Sequence, residues 1–293
     1  MKTIGIDIGG TKIQGLSLEN GKVLKKINLP LPENSKELIN SINSIKKKVD
    51  PDNKIDKIGI GVPGSIERKT GRIFMSPNIS FLKNYPLKKE LEKHMKAKIK
   101  IENDVNCIAL AESIYGLGKS KKNLIIVAIG TGIGGGLILN KKLYIGKSNA
   151  GEFGHIPIYP DGKKCSCGSQ GCLEEYAGGK VIKDLVKNTS LSNKTPKEIE
   201  ILAREKNKEA ISIYESIGKM LGIGLSSIIL ILDPEIIILS GSLSNASDLF
   251  LPTLKKELKK RVYFQIPNIK ISKMKDKTAI GAALLFDKNI LTN

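Results

Sequence analysis

One imidazole and three thiols lie close together in this chain, as His155-x9-Cys165-x-Cys167-x4-Cys172. Nitrogen and sulfur donors of this kind suit tetrahedral zinc. Four of them leave no position for water, so the expected site is structural. Gly168 and Gly171 supply the tight bends so short a loop requires. The other reading is three buried or redox-active thiols; the compact spacing favours metal. Zinc here would order the loop that carries Glu152, Gly154 and Glu174. Cys107 stands alone and reads as a small core residue on a helix, and His94, between lysines, as a surface residue.

Two glycine turns could bind phosphates. In Asp7-Ile8-Gly9-Gly10-Thr11-Lys12 the glycines let backbone N–H groups approach a polyphosphate closely. Thr11 and Lys12 add a hydroxyl and a cation, and Asp7 could hold magnesium through water. An ordinary hairpin turn would explain the glycines but not the acid beside Thr-Lys. The second turn is Gly130-Thr131-Gly132-Ile133-Gly134-Gly135-Gly136, where Gly130, Gly132 and Gly135 satisfy G-x-G-x-x-G. A dinucleotide site needs a helix directly after that turn. Leu137 to Lys142 reads instead as a strand and a turn, which excludes NAD. A Walker-type loop fails for want of Gly-Lys-Ser/Thr in register.

Glu102-Asn103-Asp104 ends one expected strand and starts a helix. A carboxylate there can take a proton from an alcohol while Asn103 bonds to neighbouring hydroxyls; a helix cap is the competing role for Asp104. Glu152, His155 and Glu174 are the other polar groups suited to a polyol, which needs several fixed acceptors.

The elements that must position these groups repeat once. Residues 2–8 read as a buried strand, 12–18 as a second, and Asn20-Gly21 turns into a third. Leu38, Ile42, Ile45 and Val49 predict a helix over 35–49. Strands follow at 55–62 and 99–102, and helices at 87–97 and 104–115. The pattern restarts with a strand at 124–129, the glycine turn 130–136 and a strand at 137–139, then a loop region over 146–172. Helices are expected near 178–188, 196–206, 208–231, 247–260 and 278–288, with strands at 235–239 and 269–272. Thr195-Pro196-Lys197-Glu198 combines a capping box with proline at the first helical position. The shared opening of strand, glycine turn and antiparallel strand suggests two similar α/β lobes facing each other.

Composition narrows the class. At 293 residues and 40% hydrophobic, the chain can hold two domains with real cores. No stretch approaches the roughly 18–20 uninterrupted apolar residues of a membrane helix, and Asp7 interrupts the N-terminal apolar stretch, so neither a leader nor an anchor is expected and the expected address is cytoplasmic. The net charge of +19 would suit nucleic acid, but only four basic residues are Arg (Arg68, Arg72, Arg204, Arg261) and Trp is absent. Bidentate base readout and stacking are thereby poorly served, and a lysine-rich solvated surface is the expected reading.

Taken in order, the segments Asp7–Lys12 (DIGGTK), Gly61–Gly64 (GVPG), Glu102–Asp104 (END), Gly130–Gly136, Ala150–His155 (AGEFGH) and Cys165–Glu174 (CSCGSQGCLE) resemble the ROK family of sugar kinases. Ser240–Leu243 looks like that family's adenosine-side turn, and Thr278–Leu285 like its closing helix. The combination of AGEFGH with C-x-C-G-x-x-G-C-L-E is the specific part. The resemblance implies an α/β, two-lobed actin-like ATPase (ribonuclease H-like) fold with a cleft between the lobes. The small lobe would span 1–118, completed by the C-terminal helix 277–293, and the large lobe 119–276 with the zinc loop. It implies phosphoryl transfer from ATP to the 6-hydroxyl of a hexose, glucose first. N-acetylglucosamine, N-acetylmannosamine and fructose are the alternatives.

By the same resemblance Asp104 is the base, and Gly64, Asn103, Glu152, His155 and Glu174 line the sugar site. His155, Cys165, Cys167 and Cys172 bind zinc, with His155 serving both sites through its two nitrogens. Asp7, Gly9, Gly10, Thr11, Lys12, Gly130, Thr131, Gly132 and Gly241 would hold ATP and its Mg2+. Ser240-Gly241-Ser242 departs from the family's usual two glycines. A homodimer or a dimer of dimers is the implied assembly. The family also contains sugar-responsive regulators, which carry a DNA-binding segment before the first turn; that turn starts at residue 7 here, so an enzyme is expected.

Overall fold

The computed structural model describes residues 1–287 and 289. Its elements begin with β1 (Lys2–Ile8), β2 (Lys12–Glu19), β3 (Lys22–Pro30), α1 (Ser35–Val49), β4 (Lys57–Val62), β5 (Ser65–Glu67), β6 (Arg72–Met75), α2 (Leu87–His94), β7 (Lys98–Asn103) and α3 (Asp104–Tyr115). Then come β8 (Leu124–Ile129), β9 (Ile133–Leu139), β10 (Lys142–Tyr144), α4 (Glu174–Ala177), α5 (Val181–Leu185), α6 (Pro196–Arg204) and α7 (Lys208–Leu232). The last are β11 (Ile236–Ser240), α8 (Ser247–Arg261), β12 (Asn268–Ile271) and α9 (Lys277–Ala283). Residues 288 and 290–293, the end of the expected closing helix, lie outside the described residues.

Two five-stranded sheets share one plan: β3–β2–β1–β4–β7 and β10–β9–β8–β11–β12. In each, an antiparallel hairpin flanks parallel strands: β1 pairs antiparallel with β2 and parallel with β4, while β11 pairs parallel with β8 and β12. The duplication expected from the repeated opening is thus present in the strand order. The chain divides into two compact units. The first comprises residues 1–123, 136–150 and those from Lys273 onward; the second comprises 124–135 and 151–272.

Within the first unit the two sheet faces are packed by opposite means. Ile4, Ile6, Ile8, Ile58 and Ile60 are fully buried against Leu38, Ile42 and Ile45 of α1 and Leu87 and Leu91 of α2, an apolar core of branched chains. Each such side chain contributes roughly 1.5–3 kcal/mol on burial. Asn34 caps α1 by accepting the Glu37 N–H at 3.0 Å. On the other face glycines open the middle of the sheet to a helix backbone. A Cβ on Gly5 would lie 1.8 Å from the Ala279 carbonyl oxygen, and one on Gly59 equally close to that of Ala282. Helix α9 (KTAIGAA) therefore lies with its backbone against the sheet, and Gly281 admits the Cys107 carbonyl of α3 in the same way.

In the second unit, α6 starts at the Thr195 capping box and Asn207 caps α7. Helix α7 stops where Asp233 turns left-handed ahead of Pro234. Among the described residues α7 is the one helix long and apolar enough, by length and composition, to cross a membrane; half of its apolar window is buried. Gly218 and Gly222 bring it onto α8, where a Cβ would meet the Phe250 carbonyl at 2.4 Å and the Glu257 Cβ at 2.6 Å. That packing is the signature of a core helix.

Three expectations need adjustment. The glycine turn is confined to Gly130–Gly132, because Gly134–Gly136 already belong to β9. The expected helix near 178–188 is only the short α5, and the extended Gly178 separates it from α4, which lies before the expected range. The β5–β6 hairpin, short and irregular in register, gave no clear alternation in sequence.

Candidate active site

In the first unit, Asp7 and the Gly9–Lys12 turn end the β1–β2 hairpin. The Gly9 N–H donates to the Lys12 carbonyl at 2.9 Å, closing a two-residue loop in which Gly10 and Thr11 are exposed. Burial raises the Asp7 carboxyl to about pKa 7; the negative charge of Asp104 adds to this and Lys12 opposes it. The folded chain therefore holds a proton on Asp7 that the unfolded chain has released between roughly pH 4 and 7, so this group's contribution to stability falls as pH rises through that window. In thermal melts from pH 4.5 to 8, the wild type is expected to lose stability relative to Asp7→Asn as the pH increases. A difference independent of pH would refute the assignment.

Asp104 opens α3 and is half-buried. The N-cap is Asn103, whose Oδ1 accepts the N–H groups of Val105 and Asn106 at 2.9 and 3.2 Å, and Asp104 Oδ1 shares the Val105 N–H at 2.9 Å. Asn103 Nδ2 donates to the Gly64 carbonyl at 3.2 Å, bringing the GVPG turn to the start of α3. Gly64 has φ of +111°, and a Cβ there would sit 1.9 Å from the Met75 carbonyl oxygen. Both conformation and space demand glycine.

In the second unit, the Gly130 N–H donates to the Gly132 carbonyl at 3.0 Å, while Gly130 and Thr131 carbonyls accept from Gly179 and Lys180. Glu174 lies under this turn: its Oε2 accepts the Ile133 N–H at 2.8 Å, and a Cβ on Gly132 would be 2.0 Å from it. Lys180 Nζ reaches Glu174 at 3.2 Å and Glu175 at 2.7 Å. Burial raises the Glu152 carboxyl, His155 offsets part of the shift, and Glu174 adds to it. Gly241, with φ of +86°, brings its backbone against Ile129, whose carbonyl would be 2.4 Å from a Cβ.

The four expected metal ligands converge. Their donor atoms all lie within 4.8 Å of one another. Tetrahedral zinc with Zn–S of about 2.3 Å and Zn–N of about 2.0–2.1 Å needs sulfurs roughly 3.8 Å apart and sulfur–nitrogen distances of roughly 3.6 Å. Cys167 and Cys172 Sγ are 3.7 Å apart, and Cys165 Sγ is 3.6 Å from His155 Nδ1. The residues fit the ion. His155 turns its other nitrogen, Nε2, towards Glu152 at 4.0 Å. Burial and the neighbouring thiols push Cys172 up to about 12, a cost that a divalent cation among the sulfurs would reverse. Gly171, at φ of +72°, is required where a Cβ would strike the Tyr159 carbonyl at 1.6 Å.

Sequence reading passed over Arg68. Its guanidinium pairs with Glu102, which is 4% exposed, through Nε at 2.5 Å and Nη2 at 2.7 Å. The available signal was its rarity: one of four arginines in a chain of lysines, where the planar fork is used sparingly.

The model of the ROK family matches residues 3–289. A glucokinase of Streptomyces coelicolor is 35% identical over 277 residues, covering 88% of this chain and 87% of its own. The xylose repressor of Bacillus subtilis is 34% identical over 276 residues, covering 91% of this chain and 71% of its own. Among solved structures, a ROK family glucokinase from Streptomyces griseus in complex with glucose and AMPPNP superposes with a TM-score of 0.80 at 29% identity, covering 97% of this chain and 98% of that one. The two like sheets are those of the actin-like ATPase fold. With a family match over nearly the whole chain and four zinc-type ligand atoms gathered within 4.8 Å of one another, this chain belongs to the ROK family of sugar kinases and related proteins.

Proposed function

We propose that this protein is an ATP-dependent hexose kinase that moves the γ-phosphate to the sugar 6-hydroxyl, with glucose as the leading acceptor. The observation that carries the reading is the start of α3, where Asn103 makes the N-cap and Asp104, with Oδ1 on the Val105 N–H at 2.9 Å, stands half-buried near Asp7. In this reading Asp104 orients the 6-hydroxyl and takes its proton late, as suits the loose transition state of phosphoryl transfer. Asn103, fixed by Gly64, together with Glu152, His155 and Glu174, supplies acceptors for the other hydroxyls. Backbone N–H groups of Gly9–Lys12 and Gly130–Gly132, with the Thr11 hydroxyl and the Lys12 cation, hold phosphates, and Gly241 faces the nucleoside. Magnesium, held by Asp7 through water, would neutralise charge on the phosphate oxygens. Zinc on His155, Cys165, Cys167 and Cys172 would order the loop and take no part in the transfer.

An ADP-release assay across glucose, N-acetylglucosamine, N-acetylmannosamine and fructose tests the reading. The expected outcome is turnover with at least one, greatest with glucose. A preference for a 2-acetamido sugar would move the assignment within the class. Saturable sugar binding with no ADP release from any acceptor would instead favour a sugar-responsive regulator, the reading that the xylose repressor's similarity supports.

The reading extends to a cytoplasmic address, where reducing conditions keep three clustered thiols available to metal, and to a homodimer or dimer of dimers, which light scattering at assay concentration would detect.

A further inference from the structure

We infer that Arg68 is a positioning residue for the phosphoryl-transfer site, acting through Glu102 on the first turn of α3; this rests on the kinase reading and on Asp104 as its base. Arg68 lies between β5 and β6, and its guanidinium uses all three of its nitrogens. Nε and Nη2 grip the two oxygens of Glu102, and Nη1 donates to the Ser148 carbonyl at 2.8 Å. Glu102 Oε1 in turn accepts the Asn103 N–H at 2.8 Å and the Asn106 Nδ2 at 3.0 Å. One ion pair thus fixes the residue before Asp104 and the side chain two positions beyond it.

The burial of the pair argues that it serves orientation. Side-chain exposure is 19% for Arg68 and 5% for Glu102. Withdrawing both charges from water costs about as much as their attraction returns, so a well-packed apolar pair would hold the fold as well. What an apolar pair cannot do is accept two N–H groups at fixed angles on the strand–helix junction. The bidentate fork supplies that geometry, and a lysine, as a point charge, does not. The positive charge also sits among Glu102, Asp104 and Asp7, all of which act on the buried Cys107 thiol, with Arg68 opposing them.

The test compares wild type, Arg68→Lys and Arg68→Ala in steady-state kinetics, sugar binding by calorimetry, and zinc content as a check on folding. Displacing a catalytic group by about 1 Å can cost 10²-fold. Arg68→Ala is therefore expected to lower kcat by about 10- to 100-fold and to weaken sugar binding through Asn103, with the KM for ATP and the zinc content unchanged. Arg68→Lys, which keeps the charge without the fork, is expected between the two. Equal kcat and sugar affinity in wild type and Arg68→Ala would overturn the inference while leaving the kinase reading intact. So would a uniform loss in which kcat falls only in proportion to folded, zinc-loaded protein. Should Arg68→Ala not fold, Arg68→Lys with wild-type kcat and sugar affinity overturns it. A wild type that binds sugar without turnover fails the kinase reading, and the inference is then read from sugar affinity alone. A wild type that neither binds nor turns over sugar sinks both.

Discussion

Asp104→Ala is expected to lower kcat by about 10³-fold, within the range of 10²–10⁴ typical of a general base, while sugar affinity stays within a few-fold and zinc content is unchanged. The separation follows from the geometry of the strand–helix junction. Asn103 supplies the cap, so removing the Asp104 carboxylate takes away its own bond from the Val105 N–H but leaves the two that Asn103 Oδ1 accepts from Val105 and Asn106. The contacts that hold Asn103, to Gly64 and through Glu102, do not pass through Asp104. Asp104→Asn keeps the shape and removes the proton acceptor, so it should lose nearly as much rate as Ala. Burst and steady-state phosphorylation, with calorimetry for the sugar, distinguish the cases. Near wild-type turnover in either variant would refute the assigned base.

The second large effect is expected from metal removal. Stripping zinc with a chelator, or Cys172→Ser, should reduce sugar affinity by at least tenfold and lower the melting temperature of the second unit. Cys172 is fully buried, and Glu174 follows it by two residues; His155 and Glu152 stand at the other end of the same loop. Structural zinc supplies on the order of 10 kcal/mol to small zinc domains, far more than the short backbone pairs Pro157–Cys172 and Lys164–Gln170 can supply. Without it the carboxylates lose their fixed separation. Metal analysis, limited proteolysis across residues 156–172 and sugar titration measure the three consequences. Restored binding on adding zinc back would separate loss of the ion from irreversible unfolding. A stripped protein with unchanged sugar affinity would contradict the role given to the loop.

Much of this was legible because the signals were local. The spacing of Leu38, Ile42, Ile45 and Val49 gives α1 its observed bounds, and the Thr195–Glu198 capping box starts α6 at Pro196. The metal ligands fall within eighteen residues, so their convergence needed only tight bends. What escaped was non-local. Arg68 meets Glu102 across 34 residues and Ser148 across 80, pairings that no periodicity records. The start of β9 was hidden because Gly134–Gly136 carry no side chains to alternate. Gly135 and Gly136 are glycine for closeness: a Cβ on Gly135 would strike the Phe153 ring at 2.1 Å, and one on Gly136 would lie 2.9 Å from the Val105 carbonyl oxygen. Composition read as a turn what packing uses as a strand.

The flush seating of α9 on Gly5 and Gly59 has a bearing on synthesis. The first unit's sheet is specified by residues 2–103, yet one of its faces is covered by a helix made only after residue 276. During translation that face, left open at Gly5, Gly59 and Gly61, must wait while all of 124–272 emerges. The second unit closes from a largely continuous stretch and can mature first. The early-made half of the protein is therefore the late-completed one, and its bare sheet face is what a chaperone would have to shield in the interval.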